Sequence, residues 1–246
     1  DHRDLHKEYR RQRQMCIRDR NMTFSIAGRC AKTGMFGVAI TTSSISVGSR
    51  CPHARAGVGA VATQNITDPH LATLVLDAME AGSTASQAIS SVTEDREFID
   101  YRQLIAVDSK ANTAHFTGKN ILGVNAISEG SDCVAAGNLL SSVAVAKGIT
   151  NGFAANPNAH LAERLLQGIE GGLAAGGEGG PVHSAALLVC GSQPFALVDL
   201  RVDWEDVGPI AKLRTLWEAY EPQMDDYLNR AINPTVAPSY GVVGDP

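Results

Sequence analysis

The dipeptide Met22-Thr23 opens the first strand-like run, Thr23-Phe24-Ser25-Ile26-Ala27-Gly28. Excision of Met22 leaves Thr23 as the first residue. A threonine with a free α-amine carries nucleophile and base on one residue. Its hydroxyl attacks a carbonyl, and its amine, with an ordinary pKa of ~7.7–8.0, accepts the proton near neutral pH. With Met22 retained, the same residue is a plain strand threonine, a common choice in strands.

Other residues could complete such a site. Asn138, within Gly137-Asn138-Leu139, can offer its side-chain amide to a developing oxyanion or satisfy backbone at a turn. Thr63 and Gln64 close the glycine-containing strand AGVGAVATQ and point either into a cleft or into a strand-end hydrogen-bond network. Arg50, His53 and Arg55 cluster in Ser49-Arg50-Cys51-Pro52-His53-Ala54-Arg55. Arginine forks match carboxylates, so this loop can hold a substrate carboxylate; surface solvation or a subunit contact are the alternatives. Thr23, Thr63, Gln64 and Asn138 are expected to line one cleft near the loop from Arg50 to Arg55.

Several chemistries lack a sequence basis. The histidines at 2, 6, 53, 70, 115, 160 and 183 form no ligand pair, so no metal and no cofactor are expected. The stretch GGLAAGGEGG, residues 171–180, has no GxxxxGK[ST] pattern, and no GxSxG elbow occurs. His183 precedes Ser184, but neighbours on a strand point to opposite faces and cannot pair directly.

The first twenty residues, DHRDLHKEYRRQRQMCIRDR, carry seven basic and four acidic side chains and no apolar periodicity. They contain no apolar core of a secretory signal. The run Met15-Cys16-Ile17-Arg18-Asp19-Arg20 resembles the translation of a sequencing-library adapter. The segment 1–21 is therefore read as foreign to the fold, with a native start expected at Met22. The other reading is a basic arm for an acidic partner.

The remainder has 14 basic and 22 acidic residues. This acidic balance argues against a nucleic-acid partner. No run of ~18 apolar residues suggests a membrane span. Cys30, Cys51, Cys133 and Cys190 are widely spaced, which fits reduced, buried thiols and a cytoplasmic setting. The expected partners are a small-molecule substrate and further copies of the chain in a homo-oligomer, a dimer.

The elements that must position these residues follow from local patterning. Thr23–Cys30 alternates, with Phe24 and Ile26 on one face and Thr23 and Ser25 on the other. Lys32-Thr33-Gly34 is a turn into a second strand, Met35–Thr42. A loop, Ser43–Pro52, leads to the strand Ala56–Gln64. Asp68-Pro69 starts a helix that stops at Ala81-Gly82, and Ser83 caps a second. Strands are expected at Gln103–Asp108, Thr113–Thr117 and Asp132–Leu140, and helices at Val143–Ala155 and Ala159–Glu170. Gly171–Gly180 reads as a mobile loop. Ser184–Cys190 and Pro194–Val202 form a hairpin, and a last helix spans Val207–Tyr220. Residues 22–232 form one α+β domain with segregated helices, and 233–246 an extended tail.

Five runs resemble a bacterial family known as domain of unknown function 1028: Met22-Thr23-Phe24-Ser25-Ile26, Gly37-Val38-Ala39-Ile40, Ala56 through Gln64, Gly137-Asn138-Leu139-Leu140 and Ser184 through Val189. The family is placed among the N-terminal-nucleophile hydrolases. The resemblance implies a four-layer αββα sandwich, two antiparallel sheets between helix layers, and amide hydrolysis with Thr23 as nucleophile. The family often has a lysine after the second strand; here Ser43 or Ser44 stands in its place. The stretch Glu178-Gly179-Gly180-Pro181-Val182-His183 also lacks the basic residues frequent there. A noncatalytic small-molecule-binding or scaffold protein that keeps the fold is the alternative.

Overall fold

The computed structural model describes residues 22–239 and 241–242. The expectation for the segment 1–21 and the end of the tail, 243–246, lie outside the described residues. The first hairpin pairs β1 (Thr23–Arg29) with β2 (Phe36–Thr42), in the register Thr23↔Thr42 to Arg29↔Phe36. Gly34, at φ +72°, supplies the left-handed residue that its turn requires. After a 3-10 turn, Val47–Ser49, come β3 (Pro52–Arg55), β4 (Gly59–Asn65), β5 (Arg102–Asp108), β6 (Thr113–Thr117), β7 (Ala126–Gly130), β8 (Cys133–Asn138), β9 (Ser184–Cys190) and β10 (Ala196–Val202). The helices are α1 (Pro69–Glu80), α2 (Ala85–Thr93), α3 (Ala144–Ala155), α4 (Leu161–Ala174), α5 (Pro209–Tyr220) and α6 (Met224–Ile232).

Two antiparallel sheets result, a six-stranded one in the order β10-β9-β2-β1-β8-β7 and a four-stranded one in the order β3-β4-β5-β6. Three apolar clusters record how they pack. One lies between the sheets and includes Ala27, Val38, Ile40, Ala60, Ala62, Ile105 and Val134. A second joins Phe24 and Ile26 to Ile149, Phe153, Leu165 and Trp217 on α3, α4 and α5. The third joins Val61 and Leu104 to Leu71, Val75, Ala88 and Ile89 on α1 and α2. The β1 alternation is therefore as expected, but both faces are buried: Phe24 and Ile26 under helices, Thr23 and Ser25 toward the other sheet.

Four local expectations are corrected. Thr84, not Ser83, caps α2, because Thr84 and Gln87 form a reciprocal capping box. The expected loop 43–52 gives way at Pro52 to β3, which pairs with β4. β7 and α6 were not expected. Finally, the glycine run is no loop over its first four residues, since α4 continues to Ala174. A Cβ at Gly171 would sit 2.5 Å from the Gly148 carbonyl oxygen, and one at Gly152 only 2.3 Å from that of Gln167. These glycines set the close approach of α3 and α4 rather than conferring mobility.

Candidate functional site

Thr23 is the first residue of β1, with β2 on one side and β8 on the other. Its cross-strand partners are Thr42 and Asn138. Directly opposed residues share a face, so all three side chains point toward the four-stranded sheet. Thr23 Oγ1 lies 2.9 Å from Thr42 Oγ1, and Thr42 Oγ1 donates to the Met22 carbonyl at 2.5 Å. A hydroxyl has one proton. With Thr42's directed at Met22, Thr23 donates to Thr42. The Met22 carbonyl also accepts the Ser43 backbone N–H at 3.2 Å. Two donors thus converge one peptide away from the Thr23 hydroxyl.

A cavity of about 140 Å³ opens beside Thr23. Thr42, Ser44, Arg50, Asn65 and Thr67 give it polar walls, and Val47, Cys51 and Ile66 the rest of its lining. A cavity of ~150 Å³ holds a benzene ring, so this one takes a group of roughly six heavy atoms. Arg50 is fixed by three acceptors: Ile45 O at 2.6 Å, Ser46 O at 2.8 Å and Ser44 Oγ at 2.5 Å. None is anionic, and among the described residues no carboxylate forms an ion pair with it. A half-buried guanidinium without a counter-ion favours an anion in the adjoining space. Asn65 holds a left-handed backbone at φ +71°; its amide bridges Tyr101 O at 2.8 Å and Leu122 N at 3.3 Å. Burial pushes the Cys51 thiol above its ordinary range, with Thr67 and Arg50 only partly opposing. Cys51 is therefore a neutral wall and not a rival nucleophile.

The remaining sequence candidates divide. Gln64 and Asn138 are not among the residues that line the cavity; they sit in a buried network that ties the sheets together. Ser25 Oγ donates to Gln64 Oε1 at 2.6 Å, Gln64 Nε2 to Gln103 Oε1 at 2.7 Å, and Asn138 Nδ2 to the same oxygen at 3.5 Å. Asn138 Oδ1 is buried with no partner among the described residues. Thr63, His53 and Arg55 are not brought to the cavity. Val61 faces α1, so by alternation Thr63 does too, and its hydroxyl donates to Asp68 O at 3.4 Å. His53 pairs with Val61 in register and shares that outer face; burial lowers the pKa of its imidazole. Arg55 lies two residues on and is held by Asp77 at 2.8 Å and Glu80 at 2.6 Å, both on α1.

Four polar residues at the site were missed or undervalued: Thr42, Ser44, Asn65 and Thr67. The signal for Thr42 was present, because counting outward from the 32–34 turn puts it opposite Thr23. Ser184 is confirmed as no partner of His183; its hydroxyl donates to Ser44 O at 2.6 Å and receives Val47 N–H at 3.2 Å. Among the described residues no three histidine, cysteine or carboxylate side chains converge as a metal site. No helix among them is long and apolar enough to cross a membrane.

Comparison with known proteins places this geometry in a family. The chain is similar to the crystal structure of protein SPO2555 from Silicibacter pomeroyi. Identity is 29%, coverage is 81% of this chain and 89% of that one, and the TM-score is 0.75. Anbu (ancestral beta-subunit) from Yersinia bercovieri overlaps at 12% identity, over 83% of this chain and 97% of that one. Its TM-score of 0.37 is too low to bear on the fold. No curated protein matches. The profile of a family of unknown function, DUF1028, matches residues 23–213, and the chain belongs to that family.

Proposed function

We propose that the protein is an amidohydrolase that acts from a chain beginning at Thr23, on a four-layer αββα sandwich of the N-terminal-nucleophile kind. The helix-covered outer faces of two facing antiparallel sheets support that fold reading. One observation carries the function: Thr23, at the start of β1, lines a cavity whose lining also includes an arginine, Arg50, with no carboxylate partner among the described residues. The substrate is a small amide whose acyl side carries a carboxylate for Arg50. It need fill only about six heavy atoms' worth of space.

Thr23 Oγ attacks the amide carbon while the Thr23 α-amine takes the hydroxyl proton. The oxyanion occupies the place of the Met22 carbonyl oxygen, between the Ser43 N–H and the Thr42 hydroxyl. The amine returns the proton to the leaving nitrogen as the C–N bond breaks, giving an ester on Thr23. Water, deprotonated by the same amine, then releases the acid. Asn138 acts behind Thr23, through the network with Gln103, and does not itself line the cavity.

The noncatalytic binding reading is favoured by one feature. No lysine lines the cavity, so the amine of Thr23 is the sole base at the nucleophile among the lining residues. One experiment separates the two. A chain released at Thr23 is incubated with β-lactones, whose strained ester acylates a nucleophilic hydroxyl, and the intact mass is read. Acylation mapped to Thr23 and absent in Thr23→Ala supports hydrolysis; Thr23→Ser should retain it. No adduct on the parental chain, together with saturable binding of small carboxylates, supports a binding protein instead.

A further inference from the structure

Glu178 is a charge-bearing residue that the site as described does not use. The residue is 9% exposed, and neither carboxylate oxygen has a hydrogen-bond partner among the described residues. Burial pushes its pKa well above the ordinary carboxyl range. A buried carboxyl with no donor is expensive unless a partner arrives or it stays protonated.

Its position says where that partner comes from. Beyond Asn138, where β8 ends, the chain turns through the left-handed Leu139 (φ +51°) into an isolated antiparallel bridge between Leu140 and Glu178. The bridge is flanked by Gly179 N–H to Leu139 O and Ser141 N–H to Gly177 O, both 3.0 Å. The Leu140 N–H points the other way, to Val124 O at 2.9 Å. Segment 177–179 therefore lies on the β1 side of β8, off the N-terminal end of β1. Thr23 pairs with Asn138 and Glu178 with Leu140, two residues on across the left-handed Leu139 at φ +51°, so the offset along the chain is at most about 7 Å, the span of two fully extended residues at ~3.4 Å each. That gap is within reach of a glutamate side chain. Met22 fills the ground between: it is 8% exposed, and a Cβ at Gly180 would lie 2.5 Å from its Cε.

We propose that Glu178 is the counter-ion that receives and positions the α-ammonium of Thr23 once the bond to Met22 is cut. Cutting that bond removes the methionine side chain and creates a cation at the head of β1, beside the one buried carboxyl that lacks a donor among the described residues. Glu178 thus acts on the amine and not on substrate; it is a positioning residue. This inference rests on the start at Thr23 proposed above, but not on hydrolysis.

The test is a cycle of four proteins: the full 246-residue chain and a chain released at Thr23, each with Glu178 and with Glu178→Gln. Loss of Met22 packing is common to both backgrounds and cancels in the cycle. The pair should appear as a coupling of at least tenfold in the urea-unfolding equilibrium, about 1.4 kcal/mol, favouring Glu178 only in the chain that starts at Thr23. Additive effects within twofold overturn it. A second measurement needs no variant: the pH dependence of Thr23 amine labelling in the released chain. The amine should titrate above the ordinary ~8, and Glu178→Gln should bring it back. A midpoint at or below the ordinary value in the unsubstituted chain overturns the pairing. Coupling without lactone acylation leaves Glu178 paired and refutes the hydrolase reading alone; acylation without coupling does the reverse.

Discussion

Thr42→Val tests the reasoning about the site most directly. Thr42 is 1% exposed, and valine keeps its shape, so no cavity forms and the change is the loss of one hydroxyl. That hydroxyl accepts from Thr23 Oγ1 at 2.9 Å and donates to the Met22 carbonyl at 2.5 Å. Each such bond contributes ~1 kcal/mol net. The Met22 carbonyl retains the Ser43 N–H at 3.2 Å, and Thr23 borders a cavity that water can enter. The loss in the full chain should therefore be ~1–2 kcal/mol, a fall in Tm of roughly 2–8 °C for a domain of this length. In the chain released at Thr23 the same hydroxyl faces the oxyanion, and removing one such donor slows acyl transfer by about 10²–10³. The assay is the second-order rate of lactone acylation by intact mass, beside thermal melts, for the parent, Thr42→Val and Thr42→Ser. The serine variant keeps the donor and should stay within several-fold of the parent. If Thr42→Val is acylated at the parental rate while its Tm falls as expected, Thr42 holds the fold and not the oxyanion. If its Tm rises, the hydrogen-bond relay itself is wrong.

Arg50→Gln should slow acylation by a carboxylate-bearing lactone by at least tenfold, since a charge-assisted bond is worth ~1.5–3 kcal/mol. An uncharged lactone should change less than threefold, and equal slowing of both would remove Arg50 from acyl-group recognition. His160 caps α4 by accepting the Ala162 N–H at 3.2 Å, and burial lowers its pKa, with Asp225 opposing weakly. Its unfolded form therefore takes up the proton first. Stability is complete above the unfolded value of ~6.5 and declines as pH drops from there toward the folded value. Urea midpoints at pH 7.5 and 5.5 should show this decline, reduced in His160→Asn, which keeps a cap; an unchanged decline assigns it to other groups. Gly152→Ala places a Cβ 2.3 Å from the Gln167 carbonyl oxygen and should cost ~1–3 kcal/mol by forcing α3 from α4. A melt at the parental temperature would show slack between the helices that the geometry does not contain.

The sequence by itself determined the local elements and the family. Alternation along Thr23–Arg29, the Gly34 turn and the Asp68-Pro69 helix start are local signals, each written within a few residues. It also determined that Thr23 heads the first strand and shares a face with Ser25. It did not determine what lies across from that face. Thr63 and Gln64 are adjacent, yet one faces α1 and the other the six-stranded sheet, and only the pairing of β4 fixes which. Arg50 and Arg55 read as one basic cluster; the tertiary structure separates them because β3 turns Arg55 toward the carboxylates of α1 while Arg50 stays at the cavity. The glycine run 171–174 looked mobile because closeness to another helix leaves no trace in one helix's own composition. Glu178 stood out in the sequence only as part of a stretch without basic residues, and its meaning rests on burial beside the head of β1. Periodicity is a property of neighbours in the chain, whereas burial, counter-charge and cavity walls belong to residues that only the folded chain brings together.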